Sequence, residues 1–184
     1  MNLPNILSLL RIALIPVLIG IFFLPYESAP LWATIVFVIA SLTDWLDGYL
    51  ARKWQQTSAF GAFLDPVADK LLVAVALVLV LYKTPQWFVL IPVVIIISRE
   101  ITISALREWM AELGQRNAIK VSYIGKLKTA FQMLSIGCLI YFKPLFGLPI
   151  FDIGLVLLYV ASALTLSSMF SYLKAALPML LTKG

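Results

Sequence analysis

Asp44-Trp45-Leu46-Asp47-Gly48-Tyr49-Leu50-Ala51-Arg52 and, eight residues later, Gly61-Ala62-Phe63-Leu64-Asp65-Pro66-Val67-Ala68-Asp69 together hold four of the chain's nine acidic residues. Asp44 and Asp47 are spaced i, i+3, and Asp65 and Asp69 are spaced i, i+4, so on helices each pair projects from one face. Two adjacent helices can then aim four carboxylates into a single cleft. The polar residues between them, from Lys53 to Phe60 with Gln55, Gln56, Thr57 and Ser58, read as the turn that joins the two helices.

Four converging carboxylates repel one another unless cations lie between them. With all-oxygen ligands and no histidine anywhere in the chain, a hard divalent ion, Mg²⁺ or Mn²⁺, suits the set better than zinc or copper. Four protein ligands exceed what one Mg²⁺ usually takes, which favours two ions about 3.5 to 4 Å apart, a spacing that clamps a phosphoryl group. Gly48 follows one of these aspartates directly, and Gly61 precedes another by one helical turn. Where Cβ is missing, a bulky ligand can approach the backbone; close packing of helices through small residues is the competing explanation for either glycine alone. Arg52, one turn beyond Gly48, can meet a diphosphate with two parallel hydrogen bonds.

The full pattern, Asp-x-x-Asp-Gly-x-x-Ala-Arg, eight residues, Gly-x-x-x-Asp-x-x-x-Asp, closely resembles the signature of the CDP-alcohol phosphotransferase family. Pro4-Asn5 with Ser8 and Arg11 is similar to the family's opening. Arg99-Glu100 through Arg107-Glu108, followed by Gly125-Lys126-Leu127-Lys128-Thr129, is similar to its bacterial branch that uses glycerol 3-phosphate. The resemblance implies an enzyme in which an alcohol attacks the phosphorus of a CDP-linked lipid, CDP-diacylglycerol, and CMP leaves. It also implies two metal ions, with Asp44 and Asp65 bridging both, Asp47 holding the first and Asp69 the second. The cytidine diphosphate would lie against Asn5, Ser8, Gly48, Arg52, Ser58 and Gly61, although Asn5 and Ser8 could equally cap the first helix. A homodimer is the expected assembly on the same ground.

Composition sets the environment. Of 184 residues, 62% are hydrophobic and only 12% charged, which excludes an ordinary soluble globule and implies an integral membrane protein. The single cysteine, Cys138, cannot form an intrachain disulfide and reads as core filler. The first residues lack a basic region, and Arg11 interrupts the early apolar stretch, so a cleaved leader is not expected. A net charge of +5 without any basic run argues for anionic lipid head groups and anionic substrates as partners, and against nucleic acid.

Six uncharged apolar segments follow one another: Ile12 to Tyr26, Ser28 to Thr43, Leu71 to Tyr82, Thr84 to Ser98, Thr129 to Phe142 and Ile153 to Leu173. Each reads as a transmembrane helix, giving an all-α bundle of six spans that forms one membrane-embedded catalytic domain over residues 1–184. A span needs about 20 residues, so the shorter runs must draw charged neighbours to membrane depth. Pro25, Pro30, Pro85, Pro144 and Pro149 mark the breaks, Pro178 the end of the last helix, and Pro16 and Pro92 local kinks. Trp32, Trp87 and Tyr172, near span ends, read as interfacial anchors. With six spans, the connections near 25–30, 83–86 and 143–149 share one side, which carries only Lys83 and Lys143 of fourteen Lys and Arg residues. The basic side, with all four aspartates, should face the cytoplasm of a bacterial inner membrane.

A second polar constellation follows the fourth span. Arg107, Lys126 and Lys128 come from two helix ends on the aspartate side and can form an anion pocket, while flanking charge with local ion pairs is the competing explanation. Such a pocket beside the metal site favours a phosphorylated alcohol as acceptor, glycerol 3-phosphate by the branch resemblance; another acceptor of the family, such as inositol phosphate or serine, is the alternative. The acceptor hydroxyl must lose a proton, and with no histidine, and with lysines held protonated beside an anion, Asp69 is the candidate general base. Two other readings fit less well. An intramembrane prenyltransferase needs more spans and leaves Gly48, Arg52 and Gly61 unexplained. A divalent-cation carrier or channel needs acidic sites along its whole depth.

Overall fold

The computed structural model describes residues 3–54, 59–112 and 123–182, with side chains described except at 3–4, 45, 47–54, 59, 62, 123–126, 171 and 175–182. Among the described residues, six helices run in chain order: α1 Leu3–Phe22, α2 Ala29–Trp54, α3 Ala59–Lys83, α4 Trp87–Glu112, α5 Tyr123–Tyr141 and α6 Ile150–Thr182. Among the described residues there is no strand, only an isolated bridge between Leu145 and Leu148 in the last connection. The expectation of an all-α bundle holds. By length and composition, α1, α4 and α6 are long and apolar enough to cross a membrane, and α2 and α5 carry shorter apolar stretches, Ala29–Asp44 and Leu127–Tyr141. Asp65, Asp69, Lys70 and Lys83 break the apolar run of α3 at both ends.

The helices overrun the apolar segments because hydropathy reports contact with lipid, whereas the backbone hydrogen-bond ladder continues through polar turns. The run Leu71 to Tyr82 is only the second half of the 25-residue α3. Pro178 does not end α6, which continues to Thr182. Pro30 falls in the first turn of α2 rather than before it; the missing N–H costs nothing there, since first-turn donors have no intrahelical partner. Pro16 and Pro92 lie inside helices as expected.

α3 is the central element, touching α1, α2, α4 and α5, while α6 covers α4 and α5. Its inward side presents Leu72, Ala76, Leu77 and Val80 to Leu18 of α1, Ala33, Phe37 and Ala40 of α2, and Ile136 and Ile140 of α5. Alanines at these positions let backbones come close, which is how helices gain packing energy where lipid removes the hydrophobic drive between them. Gly154 does the same for the α5–α6 pair: a Cβ there would stand 2.8 Å from the Cβ of Cys138, and Ser135 donates a 2.7 Å hydrogen bond to the Gly154 carbonyl.

Three connections meet at one end of the bundle. Lys143 donates to the Glu27 carbonyl at 2.6 Å, Lys83 lies 5.9 Å from the Phe142 ring centre, and Phe23 packs edge-on against Tyr82. Trp32 and Trp87, near this end, are exposed as interfacial anchors would be. The acidic motif lies towards the other end, where α2 finishes and α3 begins.

Candidate active site

The first helix places a charge where none can remain alone. Arg11 is wholly buried, and its Nη1 donates to Asp44 Oδ1 at 2.8 Å. Ser8, one turn earlier on the same helix and equally buried, donates to Asp65 Oδ1. α1 thus fixes one carboxylate on α2 and one on α3. Asn5 is also buried, and both Asn5 and Ser8 sit within α1 rather than ahead of it, so the helix-cap explanation fails.

Asp69 lies one turn beyond Asp65, and its Oδ1 is buried without a hydrogen-bond partner. A buried carboxylate oxygen lacking a donor is costly, and a cation or an incoming hydroxyl would relieve it. Among the described residues no three His, Cys, Asp or Glu side chains are gathered closely enough to hold a metal ion. Asp44 is engaged by Arg11 and Asp65 by Ser8. The side chain of Asp47 lies outside the described residues, as do those of Arg52 and Lys126 and the surroundings of Gly48; Ser58 lies outside altogether. The donor chemistry still fits a hard divalent ion, being all oxygen, with one buried oxygen unsatisfied. Gly61 is buried in the first turn of α3, one turn before Asp65.

Asp69 also opens into a cavity of about 260 Å³ lined by Lys70 of α3, Arg99, Glu100 and Arg107 of α4, Lys128, Thr129 and Gln132 of α5, and Tyr172 of α6. Among the described residues, four cationic side chains face two carboxylates there, so the cavity is net positive. The volume is below the roughly 300 to 1,000 Å³ that drug-sized ligands need, and suits a small polar molecule rather than a nucleotide-linked lipid.

The structure brings Arg107 and Lys128 together as expected, with Arg99 and Glu100 of the same polar stretch of α4, and adds Lys70 and Gln132, which the sequence did not single out. Lys128 donates to Glu100, which Arg99 also meets at 3.3 Å, so the local ion pairs of the competing explanation exist and share one carboxylate. Arg99 Nη2 donates to Ser168 at 3.0 Å, while its buried Nε has no acceptor. Lys70 is held by a hydrogen bond to Ser104 on α4. Tyr172 is not an interfacial anchor. It is buried, with the guanidinium carbons of Arg99 and Arg107 at 5.7 and 5.6 Å from its ring centre, a geometry that holds both cations over the ring. Nothing in the residues flanking Tyr172 on α6 hints at this role; the available signal was that an arginine in an apolar helix must find a partner on another helix.

Comparison with known proteins shows the family of the chain. The family described as CDP-alcohol phosphatidyltransferase matches residues 1–171. A protein of Pectobacterium atrosepticum named CDP-diacylglycerol--glycerol-3-phosphate 3-phosphatidyltransferase is 52% identical over 175 residues, covering 95% of this chain and 94% of its own. Relatives of the same name in Salmonella choleraesuis and Sodalis glossinidius are each 51% identical over similar lengths. On the family match over residues 1–171 and this near full-length likeness, the chain belongs to the CDP-alcohol phosphatidyltransferase family, a family of membrane enzymes.

Proposed function

We propose that this enzyme transfers the phosphatidyl group of CDP-diacylglycerol to glycerol 3-phosphate, giving phosphatidylglycerolphosphate and CMP. The observation that carries the reading is the cavity in which Asp69, with its unsatisfied oxygen, faces Lys70, Arg99, Arg107 and Lys128. Two divalent ions, Mg²⁺ or Mn²⁺, held by Asp44, Asp47, Asp65 and Asp69, would neutralise the diphosphate and polarise the reacting phosphorus. Arg107, Lys126 and Lys128, joined by Lys70 and Arg99, bind the acceptor's phosphate. Asn5, Gly48, Arg52, Ser58 and Gly61 serve the cytidine diphosphate, and Ser8 supports it through Asp65.

Asp69 accepts the proton of the acceptor's terminal hydroxyl as that oxygen bonds to the phosphorus bearing diacylglycerol. The bond from this phosphorus to the CMP oxygen breaks, and CMP leaves with the electron pair. Residues 1–184 act as one catalytic unit, with the site opening to the cytoplasmic side of a bacterial inner membrane, and two copies form a homodimer.

Replacing Arg107 by glutamine tests the acceptor assignment. Loss of one charge-assisted contact should raise the KM for glycerol 3-phosphate roughly tenfold or more and leave the KM for CDP-diacylglycerol nearly unchanged. An equal rise in both constants would mean that the cluster serves the nucleotide or only the fold.

A further inference from the structure

Among the described residues that line the cationic cavity, Gln132 is the one amide, and it is 3% exposed. Its Oε1 is buried and has no hydrogen-bond partner. It follows Lys128 by four residues on α5, so the two side chains stack on one face about 5 to 6 Å apart at their Cβ atoms, with Gln132 one turn deeper from the start of the helix. A buried amide oxygen without a donor is destabilising, and an apolar side chain of similar volume would fill the same place without that cost. Such a group gains its partner when a ligand carrying a hydroxyl enters.

We infer that Gln132 is a specificity-determining residue, whose amide oxygen accepts a hydrogen bond from the second, non-reacting hydroxyl of the acceptor. The inference rests on the proposed reading of the cavity and names a third point of recognition within it. Cations hold the phosphate, Asp69 meets the reacting hydroxyl, and Gln132 reads the hydroxyl on the carbon between. Three points on one small molecule fix both its register and its handedness. A site built to pair a hydroxyl rejects an analogue lacking it, because the protein's own buried group is then left without a partner.

The experiment compares two acceptors in one protein preparation: glycerol 3-phosphate and 3-hydroxypropyl phosphate, which keeps the phosphate and the terminal hydroxyl but lacks the middle one. The wild-type enzyme should prefer glycerol 3-phosphate by about ten- to hundredfold in kcat/KM. In Gln132→Met, which keeps the length and removes the acceptor atom, the preference should collapse to within about threefold, with the KM for CDP-diacylglycerol unchanged. Because the ratio is taken within one preparation, a lower folded fraction cannot imitate this result. A preference that is equal in the two proteins, or absent from the wild type, would overturn the role of Gln132 while leaving the proposed reaction standing. Failure of glycerol 3-phosphate to react at all would instead overturn the reaction, and this inference with it.

Discussion

Asp69 stands where the acidic motif and the cationic cavity meet, and its buried, unpartnered oxygen is positioned to serve both. Its charge is felt by Asp44 and Arg11 on one side and by Glu100 and Lys128 on the other. As the general base it should contribute about 10² to 10⁴ in rate. Asp69→Asn should therefore lose at least about a hundredfold in kcat at saturating metal and substrates, while direct binding of CDP-diacylglycerol weakens much less. A kcat that recovers when the metal concentration is raised would leave Asp69 as a ligand and remove it as the base. At this scale the aspartates were legible because their spacing alone puts each pair on one face. The partners of Asp44 and Asp65 were not, since which residue of α1 meets them depends on how that helix is rotated against α2 and α3. Arg11 was visible as a lone charge in an apolar run, but only packing names Asp44 as its counter-charge. Gln132 was hidden for the opposite reason: one amide in the run Thr129 to Phe142 does not disturb its apolar character.

The helices set the two ends of the bundle apart. The connections after α1, α3 and α5 are tied together by Lys143 to Glu27, by Lys83 beside Phe142 and by Phe23 against Tyr82, so those ends share one face of the bundle. By their places in the sequence, twelve of the fourteen Lys and Arg residues belong to the other face. Positive charge is generally retained on the cytoplasmic side, which supports the proposed orientation. In a Cys138→Ser background, a membrane-impermeant thiol reagent applied from outside should label Glu27→Cys and Gly147→Cys, and should reach Gln56→Cys and Ala118→Cys only after the membrane is opened. The reverse pattern would place the site on the wrong side. The order and number of helices were readable from apolar runs and prolines, whereas their ends were not. α2 and α3 carry polar turns well past the apolar runs because the backbone hydrogen-bond ladder continues where hydropathy falls, and Pro178 is accommodated within α6.

Across the whole molecule, the cationic cavity depends on four helices at once: α3 supplies Asp69 and Lys70, α4 the arginines, α5 Lys128 and Gln132, and α6 the ring of Tyr172. The charges of α4 and α5 could be placed on the same side from the sequence, but α6 could not be brought in, because its contribution arises only when it packs across α4. This gathering of acids and cations towards one end also separates the enzyme from a cation path, since Asp152 stands apart from them near the opposite end, at the start of α6. Transfer to a phosphorylated acceptor is tested by CMP release from the purified protein given CDP-diacylglycerol, Mg²⁺ or Mn²⁺ and a panel of alcohols. Release is expected with glycerol 3-phosphate, little with serine or unphosphorylated glycerol, and none in excess chelator. Turnover that persists in chelator, or that proceeds as well with an alcohol lacking a phosphate, would contradict it.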